Sequence, residues 1–164
     1  MWLSDRRSFL ALLLAGGLSA CGFTPVYAPG GSGEGLQGSV TIAEPDTREG
    51  FELVKALEAR LGRNLSARYD LNYTITTRTQ GLGVTAAQEI TRTQVMGEVG
   101  YEVVERDTDQ VVHKGTVSNF TSYSSEGSTV STAAVERDAY RRLMVSMADL
   151  ITTRLMATYS GWGS

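Results

Sequence analysis

The sequence predicts an α+β protein built as a two-layer sandwich, in which two helices cover one face of a four-stranded antiparallel or mixed sheet. Three observations support this prediction. Several segments alternate between apolar and polar residues, as half-buried strands do. Two other segments have apolar stripes at helical spacing, and each stripe must be buried against another layer. The predicted elements follow one another along the chain in the order β-α-β-β-β-α.

The chain begins with a segment that is typical of an export signal. Arg6 and Arg7 precede a short apolar run that ends in Leu18-Ser19-Ala20-Cys21. The run is shorter than the roughly 20 apolar residues of a membrane span, and it has the charged start and small-residue end of a signal peptide. Its last four residues resemble the lipobox of bacterial lipoproteins, in which the cysteine receives diacylglycerol on its sulfur. We predict a lipoprotein signal peptide at 1–20 and lipid attachment at Cys21; the alternative is a plain signal peptide with a chance cysteine.

The rest of the chain is predicted to hold a tether and one domain. Residues 21–37 are rich in glycine, which indicates a lipid anchor followed by a flexible tether. Residues 38–160 have the length of a single α+β domain. After residue 20 the chain carries 13 Lys and Arg against 17 Asp and Glu. This acidic balance does not favour nucleic-acid binding, which requires a basic stripe.

The first two elements are a short strand and a helix. The strand is predicted at Ser39–Glu44 and stops at Pro45. The residues that follow resemble a capping box, with Asp46 as the N-cap and Glu49 at the third helical position. The helix is predicted to end at Gly62. Its apolar stripe contains Phe51, Val54, Leu57 and Leu61.

Three long strands are predicted next. The first covers Arg68 to Arg78, and a loop is expected to begin at Gln80–Gly83. The second has its apolar face on odd-numbered residues, and Asp107–Asp109 forms the turn after it. The third runs from Val111 to about Tyr123. Within it the apolar residues switch between odd and even positions, which indicates a β-bulge. The apolar positions of the first two strands are Tyr69, Leu71, Tyr73, Ile75, Val95, Val99, Tyr101 and Val103.

The last predicted element is a long helix from about Val130 to about Tyr159. Its apolar stripe contains Tyr140, Leu143, Met144, Met147, Leu150, Ile151 and Leu155. Methionines at this spacing are typical of a packed core. The stripe is therefore expected to face the sheet.

No arrangement of residues predicts catalysis. His113 lies within a predicted strand, where a structural histidine is the better interpretation. The acidic pairs, such as Glu102 with Glu105, fall on solvated positions. A single histidine and an acylated Cys21 cannot assemble a metal cluster. We therefore predict no catalytic residue, no metal site and no cofactor.

One pair of arginines predicts an anion site on the polar face of the sheet. If the loop between the first two long strands is centred near Thr85, Arg68 faces Glu102 and Arg78 faces Arg92. Like charges directly opposite each other are destabilising. An anion that bridges Arg78 and Arg92 would relieve the repulsion. The alternatives are a different register, or two side chains that both extend into water.

The chain resembles the LptE family of lipopolysaccharide-assembly lipoproteins, and in particular its alphaproteobacterial branch. The resemblance begins at Cys21-Gly22-Phe23-Thr24-Pro25-Val26-Tyr27, because a Cys-Gly-Phe-x-Pro-x-Tyr opening is typical of that branch. Two segments of the final helix, Ala134–Ala139 and Ile151–Leu155, are also typical of that branch. The order of the strands and helices agrees over essentially the whole mature chain.

The resemblance implies a lipid-anchored protein on the periplasmic face of the outer membrane. Such a protein plugs the barrel of LptD, assists its assembly, and supports the transport of lipopolysaccharide to the cell surface. The implied partners are LptD, lipopolysaccharide and the membrane. Two alternatives remain open at this point: a chaperone or pilotin for another outer-membrane complex, and a periplasmic enzyme.

Overall fold

The computed structural model describes residues 35–84, 90–124 and 129–162, and it confirms the predicted α+β fold and the order β-α-β-β-β-α. The elements are β1 (Val40–Ile42), α1 (Arg48–Leu61), β2 (Tyr69–Val84), β3 (Ile90–Glu105), β4 (Gln110–Ser124) and α2 (Thr129–Thr158), followed by a 3₁₀ turn at Tyr159–Gly161. Residues 1–34, which include the predicted signal peptide and Cys21, lie outside the described residues.

The four strands form one mixed sheet in the order β1-β2-β3-β4. β1 is parallel to β2, and the other two pairs are antiparallel. The pairing of β2 with β3 continues to Val84 and Ile90. The predicted loop at Gln80–Gly83 is therefore wrong, because these residues extend the hairpin. The register shift between Val103 and Val104 opposite β4 confirms the predicted bulge.

Helix α1 begins one residue later than the capping pattern predicts. Thr47 is the N-cap, and its hydroxyl oxygen accepts a hydrogen bond from the Gly50 N–H at 3.0 Å. The prediction of Asp46 as the cap is wrong, although a carboxylate in the first turn, Glu49, is present. The helix ends at Gly62, as predicted, where φ is 80°. Glycine adopts this left-handed backbone conformation without the steric cost that a Cβ would bring.

The core lies between the sheet and the two helices, which both pack on the same face. Leu53, Val54, Leu57 and Leu61 of α1 are buried, whereas Phe51 is 57% exposed. The predicted stripe was therefore right at three positions and wrong at Phe51. The stripe of α2 is confirmed with one exception, Leu150, which is exposed. Its fully buried members are Leu143, Met144, Met147, Ile151 and Leu155.

The packed domain includes residues on both sides of the predicted range 38–160. Leu36, which the sequence assigns to the tether, is fully buried in the core. At the other end, Trp162 is buried and its ring packs edge-on against Tyr69 and Tyr159, with centroids 5.3 Å and 5.2 Å away. Within the described residues, no helix is both long enough and apolar enough to cross a membrane.

Candidate functional site

One face of the sheet is not covered by either helix, and we call it the open face. The alternation of a strand places odd-numbered residues of β2 and β3 in the core, so the even-numbered residues lie on the opposite side. The registers bring these residues into continuous rows across three strands. The members of the open face are Asp70, Asn72, Thr74, Thr76, Arg78, Gln80 and Leu82 of β2; Arg92, Gln94, Met96, Glu98, Gly100, Glu102 and Val104 of β3; and Lys114, Thr116, Ser118, Phe120, Ser122 and Ser124 of β4.

The open face is polar and carries charges of both signs. Glu102 lies opposite Lys114 in the register of β3 with β4, a favourable cross-strand arrangement. Next to this row the face is shallow, because Gly100 has no side chain and a Cβ built there would meet nothing within 4 Å. Several of the remaining positions are threonine or serine. Such a surface is suited to polar surroundings that also offer hydrogen-bonding groups.

Arg78 and Arg92 are both exposed on the open face, but they do not face each other. Arg78 lies opposite Met96, and Arg92 lies opposite Leu82. The predicted register is therefore wrong, because the observed pairs centre the hairpin two residues later than Thr85 and shift every cross-strand partner by four residues. Arg92 instead donates hydrogen bonds from Nε and Nη2 to the Ser122 hydroxyl at 3.1 and 3.0 Å. The two arginines are separate cationic positions, and anion binding by either one stays a prediction.

The same change of register gives Arg68 a different partner from the predicted Glu102. Arg68 forms an ion pair with Glu105, with Nη2 2.6 Å from Oε1. Hydrogen bonds from Arg68 and Thr108 lower the pKa of the Glu105 carboxyl. A second ion pair joins Arg106 to Asp70. Both pairs lie at the end of the sheet far from Arg78, and they tie the β3–β4 turn to the start of β2.

One row across the open face combines a cationic side chain with two apolar ones. The sequence did not predict this row. Arg78, Met96 and Phe120 lie side by side on β2, β3 and β4. Phe120 is 61% exposed although it is aromatic. The sequence does carry a signal for this exposure. Val117, the buried residue of β4, is odd-numbered, so the even-numbered Phe120 must point to the opposite face.

His113 has the surroundings of a structural residue. Its Nε2 lies 3.3 Å from the Tyr101 hydroxyl, and its ring stacks on Trp162 with an angle of 21° between the planes. Burial lowers the pKa of His113, and the nearby Arg154 lowers it further. Among residues 35–84, 90–124 and 129–162, no group of three or more His, Cys, Asp and Glu side chains is arranged to hold a metal ion.

Comparison with known proteins gives one family and several similar folds. The family model for lipopolysaccharide assembly, LptE, matches residues 38–155. No curated protein matches the chain.

Three solved structures show the same fold at low sequence identity. A protein of Caulobacter crescentus described as a lipoprotein has 20% identity and a TM-score of 0.67, with 79% of this chain and 96% of that chain covered. The rare lipoprotein B of Shewanella oneidensis has 10% identity and a TM-score of 0.58, with 74% and 95% covered. A minor lipoprotein of Acinetobacter baumannii has 17% identity and a TM-score of 0.56, with 76% and 96% covered.

Proposed function

Because the chain belongs to the LptE family of lipopolysaccharide-assembly proteins, we propose that it plugs the LptD barrel in the outer membrane and assists the assembly of that barrel. In this role the protein supports the delivery of lipopolysaccharide to the cell surface without turning over a substrate. The observation that supports the proposal most directly is the open face. The lumen of an outer-membrane barrel is polar, so a predominantly polar sheet face of mixed charge can be buried there.

Membrane attachment through Cys21 is part of the proposal. The similar structures from Shewanella oneidensis and Acinetobacter baumannii are named as lipoproteins, and Cys21 ends the lipobox-like Leu18-Ser19-Ala20-Cys21. Stable anchoring takes more than one lipid chain, which the acylation of a bacterial lipoprotein supplies. A Cys21→Ser variant should lose incorporation of labelled fatty acid and leave the membrane fraction. Retained labelling would contradict this assignment.

Depletion of the protein tests the proposed function in cells. Binding of the plug stabilises the folded barrel by mass action, so depleted cells should contain less correctly assembled LptD. They should also become more permeable to bulky hydrophobic antibiotics. Normal levels of assembled LptD together with a normal permeability barrier would refute the proposal. Purification of the native complex distinguishes the proposed function from the remaining alternative. A pilotin for another system would co-purify with a barrel other than LptD.

A further inference from the structure

Strand β2 has a free edge along most of its length. β1 pairs only with Tyr69 to Leu71, whereas β2 continues to Val84. Beyond Leu71, no strand among the described residues lies on that side of β2. β2 is therefore an edge strand from that point onward.

The hydrogen bonds at the start of β2 show which backbone groups point out of this edge. The Tyr69 N–H donates to the Ser39 carbonyl, and the Leu71 carbonyl accepts from Ala43, so odd-numbered residues point toward β1. The Arg68 carbonyl accepts from Arg106, so even-numbered residues point toward β3. The same alternation continues along a regular strand.

We call Ile75–Gly81 the open edge. The outward N–H and C=O groups of this segment belong to its odd-numbered residues, and no described residue hydrogen-bonds them. The segment contains no proline, and Thr79 is exposed. At about 3.3 Å per residue it is roughly 20 Å long. It can pair with an added strand of ordinary length.

The opposite edge of the sheet, on β4, is treated differently. The outward Phe120 N–H donates to the Asn119 side-chain oxygen at 2.8 Å. The outward carbonyls of Thr116 and Ser122 accept from Arg154 and Arg142 of α2. Edge strands are commonly protected from further pairing by such devices. The protein therefore protects β4 and leaves the open edge of β2 available.

The charge at the open edge indicates what occupies it. Arg78 lies at the centre of the segment, is exposed, and has Met96 as its cross-strand neighbour. Two copies that paired through this edge about a central two-fold axis would place Arg78 opposite Arg78, which is destabilising. A strand with a carboxylate opposite Arg78 would instead form a favourable pair.

We infer that the open edge accepts an extended, carboxylate-bearing segment of the barrel partner as an added β-strand. The backbone hydrogen bonds supply affinity, and the carboxylate opposite Arg78 sets the register, as in other cases of strand addition. This inference rests on the proposed function, because it names how the partner is held.

A pair of proline variants tests the inference. Thr79→Pro removes an outward N–H from the open edge, and proline is tolerated on edge strands because that group is not part of the ladder. Arg63→Pro places proline directly after the C-cap Gly62 of α1, where proline is common, and is the control because Arg63 belongs to neither the open edge nor the open face. Tagged full-length protein is purified from cells, and co-purifying LptD is quantified. We expect Thr79→Pro to recover at least tenfold less LptD than wild type, and Arg63→Pro to recover the wild-type amount.

A charge series decides the question if Thr79→Pro lowers the unfolding temperature strongly. Arg78→Glu should recover much less LptD, whereas Arg78→Lys should recover most of it. Lys55→Glu, at an exposed position of α1 that belongs to neither the open face nor the open edge, is the matched charge reversal and should have little effect.

The outcomes separate this inference from the proposed function. Wild-type protein that recovers no LptD overturns both. Wild-type recovery that is unchanged by Thr79→Pro and by Arg78→Glu overturns the added strand alone. A homodimer that is lost in Thr79→Pro would assign the open edge to a second copy and also overturn the inference.

Discussion

Gly97 of β3 lies on the face of the sheet that α2 covers, where there is no room for a side chain. A Cβ at this position would lie 2.9 Å from Leu143 Cδ2 and 3.1 Å from Met147 Cε. Ordinary carbon–carbon contacts are about 3.5–4.0 Å. Both neighbours are fully buried, so their terminal methyl groups have little space into which to move. Gly97→Val adds three carbon atoms at this contact and should overpack it.

The expected magnitude follows from two opposing effects. Overpacking a core lowers the free energy of unfolding by about 1–3 kcal/mol. Replacing a flexible glycine within a strand raises it by about 0.5–1 kcal/mol. Gly97→Val should therefore lower the free energy of unfolding by about 1 kcal/mol, and by at most about 2.5 kcal/mol. Gly100→Val is the matched control, because a Cβ at Gly100 meets nothing within 4 Å. That variant should be neutral or stabilised by up to about 1 kcal/mol.

Thermal unfolding measures this difference directly. Both variants are made in the Cys21→Ser background, so that the protein can be studied without membranes. A gap of about 2 kcal/mol between the two valine variants corresponds to about 8 °C in Tm for a domain of this size. Equal Tm values for Gly97→Val and Gly100→Val would refute the packing of α2 against Gly97. Urea denaturation provides an independent measure of the same free energies.

Three further predictions concern the core, pH and anion binding. Leu57→Ala should cost about 2–5 kcal/mol in urea denaturation, whereas exposed Phe51→Ala should stay within about 0.5 kcal/mol; equal losses would contradict the facing of α1. Burial lowers the folded-state pKa of His113, so its contribution to stability is fully present above the unfolded pKa near 6.5 and is lost as pH falls through the folded pKa. His113→Phe should flatten the pH dependence of Tm below about pH 6.5, and an unchanged slope would assign that dependence to other groups. Reversing both Arg78 and Arg92 to Glu should weaken lipopolysaccharide binding and its salt dependence; unchanged binding would remove both residues as anion contacts.

The sequence was sufficient to predict the elements and their facing, because those depend on local periodicity. Alternation along Tyr69–Ile75 identified the buried face of β2, and the spacing of Leu143 to Leu155 identified that of α2. Gly62 marked the end of α1 because a left-handed residue is needed there. The cap was misplaced by one residue, since Asp46 and Thr47 are both good N-caps and only the path of the preceding chain selects between them.

Local pattern could predict that Arg78 and Arg92 share a face, but not which residue lies opposite each. Moving the centre of a hairpin by one residue shifts every cross-strand partner by two, and polar residues on an exposed face penalise such a shift only weakly. The pairing of Val84 with Ile90 centres the hairpin two residues later than predicted, and this shift separates the two arginines. The sequence alone thus determined an α+β sandwich with one apolar and one polar sheet face. Only the tertiary structure decided the register, the short reach of β1, and hence the free edge of β2, because these depend on contacts between segments far apart in the chain.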